Sequence, residues 1–214
     1  MSGLAKALSV TAFSMIMVLS SAFAQSTSKD DTNPTDATTD TLETTAPAEP
    51  SLEGLAVWES IHKVFSHPRC ANCHTSDGYP RWSGPHYGEA RIHGMNVKRG
   101  EGGLGVSGLR CTTCHGAENS AKLHGPPGHE VWYLAPVEMV WWQKSSAEIC
   151  EQIKDPARNG DRTLEEIAVH VRDDGLVAWG WKPGPGREPA PGSAQGTYDL
   201  LIKWAAEGAP CPSG

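Results

Sequence analysis

The chain has 214 residues and a formal net charge of −7, from 18 Lys and Arg against 25 Asp and Glu. That balance excludes an ordinary nucleic-acid-binding surface, which needs clustered cations against phosphates. With 23 Gly, 16 Pro and only 3 Phe, the chain is not built of long regular elements around a large conventional core; eight Trp carry most of its aromatic mass.

In chain order, residues 1–24 read as a secretory signal peptide. Lys6 is the only charge before Lys29, an apolar run spans 7–19, and Ala22-Phe23-Ala24 offers an A-x-A cleavage site. The apolar run is short for a bilayer crossing and no other long one follows, so the mature chain is expected to be exported without a membrane span. Residues 25–50 are Ser, Thr, Asp, Pro and Ala, with Lys29 against Asp30, Asp31, Asp36, Asp40, Glu43 and Glu49. Such a stretch has too little to bury to repay its ordering entropy and is expected to be a disordered acidic linker. Most of the chain's acidity sits there, and residues 51–214, an ordinary length for one domain or two small lobes, are only mildly acidic.

Leu55, Trp58, Ile61 and Phe65 recur at helical spacing, which predicts a helix over 52–65 ended by Pro68. It delivers the chain into Cys70-Ala71-Asn72-Cys73-His74, and the same pattern returns as Cys111-Thr112-Thr113-Cys114-His115. C-x-x-C-H is the attachment pattern of c-type haem. Two thiols three residues apart can add to the two vinyl groups of one porphyrin, and the next residue then supplies an axial nitrogen to iron. Cys70, Cys73, Cys111 and Cys114 are therefore expected to anchor two haems c, with His74 and His115 as proximal iron ligands. A redox dithiol or a four-cysteine zinc site competes. The long separation of the pairs and the His directly after each favour haem.

The chain thus resembles a di-haem cytochrome c: mostly α, haem-organised helices with long Gly/Pro-rich loops. The resemblance implies attachment outside the cytoplasm, in the periplasm, and it implies haem as a large part of the core, so that the apo-protein folds poorly. His62 and His67, near the first helix, are expected to be surface or packing residues.

Residues 75–110 show no long period and read as loop around a cofactor. The second axial position needs Met or His, and outside the signal the chain has only Met95 and Met139. Either His93 or Met95 can supply one haem, but not both the same iron; His86 is a weaker candidate. Met95 equally suits a gap beside a porphyrin edge. Arg91, Lys98, Arg99 and Arg110 are candidate partners for haem propionates, or a solvated basic loop. After the second motif, His124-Gly125-Pro126-Pro127-Gly128-His129 echoes Gly84-Pro85-His86; both its His are candidate ligands or turn residues. Trp132, Tyr133, Trp141 and Trp142 are expected to pack on porphyrin.

Further helices are expected over 146–154, stopping before Pro156, and from a capping box at Thr163-Leu164-Glu165-Glu166. The latter carries a stripe of Leu164, Ile167, Ala168 and Val171, with His170 at its edge. His170 or Met139 is the candidate distal ligand of the second haem. Residues 176–181 form a short apolar piece, 182–196 a Pro/Gly loop, and 198–207 the last helix. Cys150 and Cys211 remain after the haem cysteines, and in an exported protein two leftover thiols argue for one disulfide.

His67-Pro68-Arg69-Cys70 with Asn72, His93 to Gly100, Gly108 to Cys114, and Val177-Ala178-Trp179-Gly180-Trp181 carry a narrower resemblance, over about residues 55–213. They look like a small bacterial family labelled as a subunit of isoquinoline 1-oxidoreductase. That label names a molybdenum hydroxylase, and nothing in the chain resembles a molybdopterin or iron–sulfur domain. The resemblance implies a cytochrome that accepts electrons from such an enzyme or passes them to a respiratory cytochrome. The competing classes are a haem enzyme or gas/redox sensor with one open iron, and a module of a larger cytochrome assembly. Di-haem peroxidases are usually longer, which favours the carrier over an enzyme.

Overall fold

The computed structural model describes residues 50–84 and 88–214, all within one unit, Ala46–Gly214. The signal, nearly all of the linker and His86 lie outside the described residues. Helix α1, Leu52–Phe65, begins where Ser51 Oγ accepts from Gly54 N at 3.1 Å. It buries Val57, Trp58, Ile61, Val64 and Phe65 along one face, three of them from the expected stripe, while Leu55 is half-buried. The one-turn helix α2, Pro68–Ala71, follows at once. Pro68 suits the first helical position, where no N–H is needed, and the His67 ring accepts from Arg69 N at 3.2 Å. His67 is thus a cap, and α2 carries Cys70.

The remaining helices lie in the second half: α3, Ser146–Lys154; α4, Pro156–Asn159; α5, Leu164–Asp173; α6, Gly175–Ala178; and α7, Ala194–Ala206. Helices α3 and α5 open on reciprocal capping boxes, Ser145 with Glu148 and Thr163 with Glu166. Helix α7 starts four residues before the expected Tyr198, because Ser193 caps it by accepting from Gly196 N. A capping serine inside a Pro/Gly-rich run is hard to distinguish from a turn serine by sequence.

Helix α7 packs on both α1 and α5, and α1 also meets α3. Trp58 and Trp204 are fully buried, ring centroids 4.9 Å apart, among Ile61, Ile149, Leu201 and Ala168. The two indole N–H groups donate to Ser146 Oγ and to the Pro210 carbonyl, each at 2.9 Å. At this junction the core is built of side chains, and two indoles supply much of its aromatic volume. The chain is helix-rich, as expected.

Cys150 and Cys211 form a disulfide, Cα atoms 5.6 Å apart, which ties α3 to the segment after α7. It closes a loop across 61 residues. Replacing both cysteines by Ser is expected to lower unfolding stability by about 2–5 kcal/mol, read as an earlier urea midpoint against a reduced and alkylated control. A midpoint unchanged from the oxidised wild type would refute the estimate.

Between the motifs the chain is less irregular than expected. Strands β1, Arg81–Gly84, and β2, Gly88–Ile92, pair antiparallel with Trp82 opposite Arg91. Strands β3, Gly105–Val106, and β4, Leu109–Arg110, make a second small hairpin. Strands of two to five residues leave too little alternation to detect. Gly100 and Gly103 have φ of 63° and 76°, and a Cβ on either would strike the backbone of Gly105 or Leu134. These close approaches fold the loop onto the second motif. Among the described residues no helix is long and apolar enough to cross a membrane.

Candidate functional site

Each motif is wound into one turn. Cys73 N donates to Cys70 O and His74 N to Ala71 O; Cys114 N donates to Cys111 O and His115 N to Cys111 O. That winding puts both thiols and the imidazole on one face. Each face lines its own cavity. The first, with about 1320 Å³ of space including its open mouth, holds Cys70, Cys73 and His74 together with Met139, His170 and the flank of the helical core at Phe65, Ile153, Ile167 and Val171. The second, about 1060 Å³ measured likewise, holds Cys111, Cys114 and His115 with His93 and Met95.

The two motif histidines are prepared alike. His74 Nδ1 lies 3.1 Å from the Met139 carbonyl and His115 Nδ1 lies 2.8 Å from the Pro127 carbonyl. A carbonyl only accepts, so in each ring Nδ1 carries the proton and Nε2 keeps its lone pair. Orientation of a metal-binding imidazole by a carbonyl at its other nitrogen is the usual outer-shell arrangement. Trp141 stacks on His74 at 3.6 Å between centroids, with Phe65 behind it at 4.6 Å. Trp132 stacks on His115 at 4.4 Å. Burial drives His74 down to about 3 and His115 down to about 4, so both rings are neutral, the state that binds a metal.

Backbone and side-chain bonds hold these rings in place. The N–H groups of Trp141 and Trp142 both donate to His74 O at 3.0 Å. Around the second motif, Asn119 Oδ1 accepts from Gly128 N and from Trp179 Nε1, while Asn119 Nδ2 donates to Lys182 O. Asn119 thereby clamps the Pro127 turn against the piece that follows α6. Neither Asn119 nor the two carbonyls stands out in the sequence; the Gly-Pro-Pro-Gly run is the only signal, and it marks a turn without saying what the turn supports.

Each cavity also holds a second histidine. His93 and His115 have ring centroids 6.0 Å apart. That spacing would let His93 and His115 together hold a metal centre, which would supply redox chemistry there. His93 Nδ1 is 2.9 Å from the Gly94 carbonyl, so its Nε2 is also the free nitrogen. Met95, 75% exposed and in a left-handed conformation, lies at the rim. In the first cavity His170 Nδ1 is 3.6 Å from Asp174 Oδ2. Asp174 is itself held as the cap of α6, accepting from Leu176 N and Val177 N. Met139 contributes its carbonyl to His74 and also lines this cavity.

This changes the expected pairing. His170 and Met139 were expected at the second motif, and the structure places both in the first cavity, while His93 and Met95 line the second. The reason is the packing of α5 on α7, which packs in turn on α1 and so brings His170 back to the neighbourhood of α2. Of the other histidines, His129 Nδ1 meets the Val131 carbonyl and His124 sits on the Arg187 loop, and neither lines a motif cavity. Of the expected propionate partners, Lys98 and Arg110 line the second cavity, whereas Arg99 is spent on the Ala135 and Thr75 carbonyls. Arg91 lies over the Trp82 ring. Arg158 and Arg162, on the first cavity, escaped sequence reasoning because they sit far from either motif in the chain.

The thiols of the first motif lack the lowered pKa of a reactive dithiol. Burial pushes Cys70 up to about 12 and Cys73 up to about 11, whereas a reactive C-x-x-C pair has a lowered pKa. Both keep some accessible surface, and that surface is cavity wall. Nor do the four cysteines make a zinc site: among the described residues no three His, Cys, Asp or Glu side chains converge on one point. Each cavity instead brings its motif imidazole together with one further histidine and one methionine. Comparison with protein-family models, with curated proteins and with solved structures returned no match to the chain.

Proposed function

We propose that this chain is a periplasmic electron-transfer protein with one covalently attached haem c in each cavity. Cys70 and Cys73 anchor the first and Cys111 and Cys114 the second. The observation that carries the proposal is the doubled arrangement itself: a wound C-x-x-C-H turn, a motif imidazole with Nδ1 committed to a carbonyl, and a second imidazole in the same cavity. Bound there, haem supplies a one-electron ferric/ferrous couple. The protein's own part is to orient His74 and His115, to present His170 and His93 opposite them, and to exclude water with Trp132, Trp141 and the α5 face.

Two imidazoles per cavity favour closed irons, hence a carrier over a peroxidase or gas sensor, and low potentials over the higher ones that Met ligation brings. Electron-transfer partners among periplasmic oxidoreductases, a molybdenum hydroxylase or a respiratory cytochrome fit this role. The test is a visible spectrum of the reduced holoprotein before and after carbon monoxide, with haem counted per chain. Two haems and no response to the gas are expected. In His93→Ala and in His170→Ala, about half the haem absorbance is expected to become gas-responsive, whereas Met95→Ala and Met139→Ala leave the spectrum closed. A wild type in which half the absorbance shifts would favour the enzyme or sensor; a wild type without haem would end the proposal.

A further inference from the structure

The two cavities are neighbours. Arg69, Cys73, Trp132, Tyr133 and Trp179 line both. Of these only Arg69 carries a charge at neutral pH, and it is one of the few buried charged residues of the described chain, 8% exposed. It is firmly placed: Nε donates to the Glu188 carbonyl at 2.9 Å, and the guanidinium lies 5.9 Å from the centre of the Trp179 ring. Trp179 in turn meets Trp132 edge to face at 5.1 Å, and Trp132 stacks on His115. On the other side Arg69 adjoins Cys70 in α2, and Cys73 shares the common wall with it.

A fixed cation in a wall of low dielectric acts on charge at either face far more strongly than a solvated one. Reduction of a ferric centre adds one negative charge, so a permanent positive charge nearby favours the reduced state. Arginine suits the position because its guanidinium stays ionised when buried. Resting on the two-haem reading above, we propose that Arg69 is a shared electrostatic positioning residue that raises the midpoint potentials of both haem sites together. Other cations on these walls serve one site: Arg162 lines the first cavity only, and Arg81 the second only.

The test is a spectroelectrochemical titration of the holoprotein, after haem per chain and the carbon monoxide response have been measured. Arg69→Gln is expected to lower both midpoints, shifting the ferrous-to-ferric ratio at each site by about tenfold at a fixed ambient potential. Arg69→Lys, which keeps the charge and loses the fork, is expected to restore most of both shifts. Arg162→Gln and Arg81→Gln are expected to move one midpoint each. Arg69→Met, which keeps the apolar stem without the charge, gives the same measurement if Arg69→Gln yields no holoprotein. Two haems with unchanged potentials in the uncharged variants would overturn the role of Arg69, as would a shift at one site only, or a Lys variant as displaced as the uncharged ones. A wild type lacking two haems would instead overturn the reading on which it rests.

Discussion

Cys111→Ala combined with Cys114→Ala is expected to reduce haem from two per chain to one and to loosen residues 93–134 while the helices stay folded. The asymmetry follows from where the core lies. The buried cluster is drawn from α1, α3, α5 and α7 and the segments that close them, and every one of its members lies outside 93–134. That segment contributes only Cys111 and Leu134 to the buried apolar residues, and its regular structure is a two-residue hairpin and a few 3-10 turns. With haem bound there as proposed, order in this segment is expected to depend on it, since stability linked to a bound group leaves with the group. Haem per chain, far-ultraviolet circular dichroism and limited proteolysis check it: half the haem, helical signal retained, new cleavage within 93–134. The Cys70→Ala, Cys73→Ala pair is expected to act differently. Its cavity is walled by Phe65, Ile153, Ile167 and Val171, which belong to the helical core, so the helices themselves lose stability. Equal proteolytic patterns in the two double variants would contradict this division.

Trp58→Ala is expected to cost about 3–5 kcal/mol of unfolding stability, the range for deleting a large aromatic from a packed interior. Trp58 is fully buried, lies against Trp204, and satisfies its N–H on Ser146. Truncation empties the junction of α1, α3 and α7 and takes away the donor that faces Ser146. Leu52→Ala, at a side chain 84% exposed at the start of the same helix, is the control and is expected to stay within about 0.5 kcal/mol. Urea unfolding of the oxidised holoprotein, followed by circular dichroism, gives both values. A loss near 1 kcal/mol for Trp58→Ala would mean that the interior is held by something other than these indoles.

The sequence by itself determined the local features. Helix α1 and its buried stripe, the stop of α3 before Pro156, the capping box of α5 and the pairing of Cys150 with Cys211 all follow from neighbours a few residues apart or from a count of thiols. The two C-x-x-C-H turns belong with them, because a single helical turn is enough to bring two thiols and an imidazole to one face. Tertiary structure alone decided what shares a cavity with each turn. His170 is 96 residues from His74 in the chain and shares its cavity, while His93 precedes the motif it faces. Periodicity places a histidine at the edge of a stripe, but which cavity that edge meets depends on how α5 packs against α7 and on how the glycine-rich loop turns back at Gly100 and Gly103. The same holds for the carbonyls of Met139 and Pro127 and for Arg69 in the common wall. Their roles come from position in space, and a backbone carbonyl or an arginine beside a cysteine leaves no periodic trace in the sequence.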